Sequence, residues 1–450
     1  MPRLYSGLFS MAEVDGHLSE RAQLQAMLDV ETALAEALAE LGIIPAGAVE
    51  PIRRAASVDL YDRAAVVADA ARSGNIAVPL INHLTARVAS IDPIAARYVH
   101  WGATSQDILD TALVLQLGRA VPPILRELAR AAEAAARQAR VHAKTVMAGR
   151  TWLQQATPTT FGLKAAGWCD ALDRVRAGVG AALEGVRVLQ FGGASGTLAA
   201  LGDQGVVVAT ALGGRLGLVV PASPWHAHRD RLVSLASALG IAIGTLGKIG
   251  RDLALLAQTE VGEVSEQPRE GVGGSSTMPH KRNPLGAAIA IAAATRAPGL
   301  VATMLAAMPQ EHERGLGLWQ AEWETLPELV RLAGGAAHAI AEALDGVVVD
   351  ARRMQLNLDI TKGAVTAESV AMAVARHLGK REAHAVIEAA SHRAAAQGRP
   401  LADVLFEDPT VTRHLSREEI ARHLEPGQYT GSAEAFVDRI LLARKEESDG

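Results

Sequence analysis

The chain has 450 residues, 49% of them hydrophobic and 21% charged, a globular balance that excludes a disordered polymer. Forty-four basic residues against forty-nine acidic ones leave a net charge of −5 with no basic block, so nothing marks a nucleic-acid partner. Aromatic residues are only 3%, alanine is about a fifth of the chain and glycine numbers 42, a mix that favours closely packed helices and excludes an all-β fold.

Ser19 is placed to cap a helix ending near Gly42, in which Leu24, Met27, Leu28, Leu34, Leu38 and Leu41 recur at three-to-four-residue spacing. A longer pattern runs from Asp110 to about Val146, where Pro122 and Pro123 are expected to kink or restart it. Further helical patterns occupy 159–189, 203–217, 230–265, 285–307, 324–345 and 367–397. Together they predict an all-α protein built on a bundle of long helices. The stretch before Asp110 and the β-branched run 346–350 suggest three regions: an N-terminal helical domain over 1–110, a central bundle over 111–346 and a C-terminal helical domain over 347–450.

Cys169 stands alone in the sequence, which precludes an intrachain disulfide or a cysteine metal cage and suits a reducing cytoplasm. Glu13 and Asp15 break any apolar export signal. The longest uncharged apolar stretch, 232–247, is too short to span a membrane, so no membrane partner is expected. Helices with alanine, leucine and valine on two sides carry more apolar face than one neighbour covers, which predicts a homo-oligomer.

Four polar clusters interrupt the helices. They are His100-Trp-Gly-Ala-Thr-Ser-Gln-Asp107, Gly149-Arg-Thr-Trp-Leu-Gln-Gln-Ala-Thr-Pro158, Gly192-Gly-Ala-Ser-Gly-Thr197 and Gly271-Val-Gly-Gly-Ser-Ser-Thr-Met-Pro-His-Lys-Arg-Asn-Pro284. Each taken singly reads as a cap or a turn. The last combines a glycine-rich half, able to close over a ligand, with two cations that attract anions. Its spacing is not that of a phosphate-cradling Walker loop. His226 and His228 lack a third ligand at suitable spacing, so no metal site is expected. Trp319 and Trp323, four apart, read as packing on one helical face.

Gly274-Ser-Ser-Thr-Met-Pro-His-Lys-Arg-Asn-Pro284 resembles the signature of the fumarase/aspartase superfamily, which includes adenylosuccinate and argininosuccinate lyases, and the other clusters follow in the family's order. Within it the chain is most similar to the lactone-forming branch that cyclises a carboxy-substituted muconate. The resemblance implies a central long-helix bundle, a homotetramer with a 20-helix core and active sites shared between subunits. It implies no cofactor and a small polyanionic substrate. It assigns Ser275 to proton handling at carbon, and Lys281 and Asn283 to the substrate carboxylate and its enolate. His100, Thr104 and Ser105 would line the pocket, Arg314 would contact substrate, and Arg282, Gln154 and Gln155 would add donors.

Two departures go together. Where the lyases carry a histidine acid after Gly-Arg-Thr the chain has Trp152, and where that histidine's glutamate partner stands it has Ala288. Indole is no useful proton donor. An amine or hydroxide leaving group needs such an acid, whereas a carboxylate, whose conjugate acid has a pKa of about 4, leaves unaided. Trp152 then reads as a wall for a flat substrate.

Overall fold

The computed structural model describes residues 5–267, 278 and 281–449. Most of them are helical, in accord with the sequence reading. The principal elements are α1 (Glu20–Glu40), α2 (Ser105–Val141), β1 (Val146–Thr151), β2 (Gln154–Thr160), α3 (Phe161–Val186), α4 (Asp230–Leu256), β3 (Val264–Glu266), α5 (Leu285–Ala306), α6 (Leu318–Asp345), β4 (Val347–Val349), α7 (Ala351–Asp359), α8 (Ala367–Leu378) and α9 (Lys380–Gln397).

The Ser19 hydroxyl accepts from the Ala22 amide at 3.2 Å and starts α1, whose apolar stripe Leu24, Met27, Leu28, Leu34 and Leu38 is buried. Several expected boundaries move. The α2 helix does not restart at Pro122 and Pro123 but continues to Val141, because the neighbouring Val121 and Ile124 are buried and packing holds the helix where the prolines remove hydrogen bonds. Residues 146–160, read partly as helix ends, form a β-hairpin in which Thr151 pairs with Gln154 and Arg150 with Gln155. The 367–397 pattern is two helices broken at Gly379, whose φ of +83° is a backbone setting that suits glycine. The β-branched run 347–349 pairs with β3, Val264 opposite Val349.

The chain forms two compact units, each stitched from three stretches: Met1–Leu128, Arg174–Gly247 and Ile289–His338 in the first, Ala129–Asp173, Lys248–Ala288 and Ala339–Gly450 in the second. This partition cuts across the sequential regions rather than following them. In the first unit, α4 and α5 approach closely: a Cβ at Gly240 would lie 2.6 Å from Val301, and one at Gly247 would overlap Ala294. In the second, Val370, Val374, Ile387, Leu401, Leu405 and Ile420 form a core among the C-terminal helices. Cys169, on α3, is fully buried, and burial together with the nearby Asp173 carboxylate pushes its thiol up to about 12.

By length and composition three helices among the described residues reach a bilayer's span: α2, α4 and α5. The reading from uncharged residues alone missed this, because a span tolerates one or two charges. Within the protein, 67% and 56% of the apolar windows of α2 and α4 are buried, but only 22% of that of α5.

Candidate active site

In the first unit, three of the expected residues sit on a loop that a single carboxylate organises. Asp107, 1% exposed near the start of α2, accepts from the Thr104 amide at 3.0 Å, closing the first turn as a capping residue does. It also accepts from the amides of Gly192 and Gly193, both at 2.9 Å, and from Nε2 of His226 at 2.7 Å. These bonds join the first and third polar clusters. They also explain His226, whose partner is a carboxylate rather than a metal, while His228 is exposed.

Arg314 reaches the same place. Its Nη1 donates to the Thr104 hydroxyl at 3.3 Å and its Nη2 to the Ala194 carbonyl at 3.2 Å, while Nε is buried without a partner among the described residues. Arg314 makes no ion pair among the described residues, so its charge is available to an anion. Thr104 and Ser105 are half-buried beside it. His100 has φ +59°, a setting costly for a residue with a Cβ, and its Nδ1 lies 2.6 Å from Oε1 of Glu31, which is 3% exposed.

Beneath this loop lies a buried ionic cluster that sequence patterning does not show. Arg229, with no exposed side-chain surface, donates to Asp110 at 2.7 Å and to Glu322 at 2.6 Å. Burial alone would lower the arginine's pKa, but the two carboxylates outweigh it and hold the guanidinium charged. Burial raises the pKa of Glu322 against the opposing pull of Arg229. Gln310 donates to Glu322 and the Trp319 indole to Asp110, which ties the segment carrying Arg314 to α2. Trp319 and Trp323 also pack edge to face at 5.0 Å, as their spacing predicts.

The second unit holds the remaining described candidates. Trp152 and Leu153 form the two-residue turn of the hairpin with φ of +54° and +62°, and are 97% and 74% exposed. Gln154 is exposed beside them. Gln155 donates to the Asn357 carbonyl at 2.8 Å and leaves its Oε1 buried without a partner among the described residues. The turn is anchored below by Arg150, which makes two bonds of 2.9 and 2.6 Å to the fully buried Glu263, itself accepting from Asn357 at 2.8 Å.

Lys281, Arg282 and Asn283 are exposed ahead of α5, and the Lys281 amide donates to the Met278 carbonyl at 3.0 Å. Ser275 and His280 lie outside the described residues. Glu266, just before this loop, accepts from the amides of Leu285, Gly286 and Ala287 and so caps α5; burial raises its pKa and those three amides oppose the rise.

Long helices carrying polar loops, with an arginine that makes no ion pair among the described residues beside a hydroxyl, and with exposed cations ahead of α5, define an enzyme of the helical lyase class. A lyase family model matches residues 11–299, and an adenylosuccinate lyase C-terminus model matches residues 363–440. The chain belongs to this family, the fumarase/aspartase superfamily. It is 53% identical over 439 residues to a 3-carboxy-cis,cis-muconate cycloisomerase of Pseudomonas aeruginosa, covering 98% of this chain and 96% of that one. It is 51% identical over 438 residues to one of Bradyrhizobium diazoefficiens, covering 97% of each. The crystal structure of 3-carboxy-cis,cis-muconate lactonizing enzyme from Pseudomonas putida superposes with a TM-score of 0.93 at 48% identity, covering 98% of this chain and 99% of that one.

Proposed function

We infer that this chain is a cycloisomerase that converts 3-carboxy-cis,cis-muconate to 4-carboxymuconolactone, a step of protocatechuate catabolism. Among its own residues the observation that carries the reading is the hairpin turn: Trp152 occupies the position where the lyases hold their acid, and Ala288 stands in place of that acid's partner. Relatives named 3-carboxy-cis,cis-muconate cycloisomerase match at 53% and 51% identity over nearly the whole chain.

The chemistry suits that inventory. A substrate carboxylate oxygen bonds to an alkene carbon, the displaced π pair moves into a neighbouring carboxylate as an enolate, and that enolate's carbon then takes one proton. No group has to be expelled as a poor anion, so orientation and charge stabilisation carry the rate. The reaction is redox-neutral and calls for no cofactor. Arg314, Lys281 and Arg282 supply positive charge for three carboxylates, Asn283, Gln154 and Gln155 supply neutral donors, and Ser275 handles the proton.

We further propose that the enzyme is a cytoplasmic homotetramer whose sites draw on more than one subunit. Support comes from α5, an apolar helix with only 22% of its window buried, and from Ile241 on α4, 65% exposed. Sedimentation velocity tests the assembly, and a monomer at micromolar concentration would overturn it.

Loss of diene absorbance on adding purified protein to 3-carboxymuconate, with adenylosuccinate as control, tests the activity. No diene loss together with adenylosuccinate cleavage overturns it. Ser275→Ala is expected to lower kcat by about a hundredfold or more, in the range of a lost proton-transfer group. Unchanged turnover would remove Ser275 from its role.

A further inference from the structure

Glu31 is left unused by the steps above. It stands on the packed side of α1, with Met27, Leu28 and Leu34 buried around it, where an unpaired carboxylate is costly. Its one hydrogen-bond partner among the described residues is Nδ1 of His100, 69 residues away, at 2.6 Å. Its second oxygen is buried without a partner among the described residues, so the carboxylate is committed to that imidazole. His100 in turn holds its φ of +59° while making the contact, a strained setting that persists only where the surroundings impose it.

Resting on the reading of His100 as a pocket residue, we propose that Glu31 is a positioning residue that fixes the proton of His100 on Nδ1 and keeps the ring an imidazolium, whose Nε2–H binds a substrate carboxylate beside Arg314. With Nδ1 turned to Glu31, the opposite ring edge is the one left for a ligand, and the His100 side chain is 20% exposed.

The electrostatics agree with the geometry. Burial lowers the pKa of His100, but the charge and hydrogen bond of Glu31 on α1, with a smaller pull from Asp107 on α2, raise it overall. Asp107 is already shared among three amides and His226, and Arg314 approaches from the segment before α6. Glu31 is therefore the group whose removal should leave burial opposed only by the smaller pull of Asp107. The sign follows: the imidazolium persists to higher pH in the wild type than it does without Glu31.

Exchange of the imidazole C2 proton of His100, followed by mass spectrometry across pH, measures this without reference to any substrate. The wild-type midpoint is expected above about 6.5, the ordinary value, and in Glu31→Gln it should fall by about one unit or more. In parallel, kcat/KM of Glu31→Gln on 3-carboxymuconate should drop about tenfold at alkaline pH and recover as the pH falls below the new midpoint. A purely structural role would lower it at every pH. Glu31→Gln added to His100→Asn should cost no more than about twofold beyond His100→Asn alone.

Equal exchange midpoints, a pH-independent loss or additive losses would each overturn the proposal. Should Glu31→Gln fail to fold, Glu31→Asp, which withdraws the charge by one methylene, is expected to lower the midpoint part of the way, and an unmoved midpoint there also overturns it. If the wild type leaves the muconate untouched, the assigned reaction fails, while the exchange midpoints still decide the role of Glu31.

Discussion

Around His100–Asp107 the chain is tied down from beneath: one buried carboxylate takes four donors, Glu31 clamps the histidine and Arg314 bonds the Thr104 hydroxyl. At Trp152–Gln155 the same number of expected site residues stands on a two-residue turn whose tip is almost wholly exposed, held by strand pairing and through Arg150, Glu263 and Asn357 at its base. Both regions contain non-glycine residues at positive φ. The first compensates that strain with buried hydrogen bonds at the loop itself, the second with strand pairing and the anchors at its base. One set of expected site residues is thus preorganised inside its unit, and the other is presented as a projecting tip of its own unit.

The sharpest way to break this contrast is Asp107→Ala. It strips three amides and His226 of their shared acceptor in a buried place, and should cost about 3–5 kcal/mol of stability as well as activity. Denaturant unfolding beside kcat/KM checks it, and a loss under about 1 kcal/mol would show that the loop is held by other means. Arg314→Gln should leave stability within about 0.5 kcal/mol of wild type and lower kcat/KM by about 10–150-fold through a raised KM, the scale of one lost charge-assisted contact. Steady-state kinetics on 3-carboxymuconate read this directly. The smallest effect belongs to the tip: Leu153→Gly, which removes a side chain from a positive-φ position, should stabilise the fold by about 0.5–1 kcal/mol. Thermal unfolding measures it, and a destabilised variant would show that the Leu153 side chain makes contacts that outweigh its strain.

The helical class, the α1 stripe and the four polar clusters were legible because apolar spacing and glycine-hydroxyl punctuation are local properties of the chain. The hairpin was not, since Trp152 and Leu153 carry no Asn-Gly or Asp-Gly turn signal and the turn is imposed by strand pairing and its anchors. The Asp110–Arg229–Glu322 cluster joins residues more than ninety positions apart, a proximity that only tertiary structure supplies. Glu31 did leave a trace: a carboxylate three residues after Leu28 and three before Leu34, on an apolar stripe, asks for a buried partner. The partner's identity was not in that pattern.

Cys169 gives the molecule a built-in reporter. A sole thiol, fully buried and shifted to about 12, presents almost no thiolate to an alkylating reagent while the α3 region stays closed. Its labelling rate therefore times the opening of that region in the unaltered enzyme, with no competing cysteine to subtract.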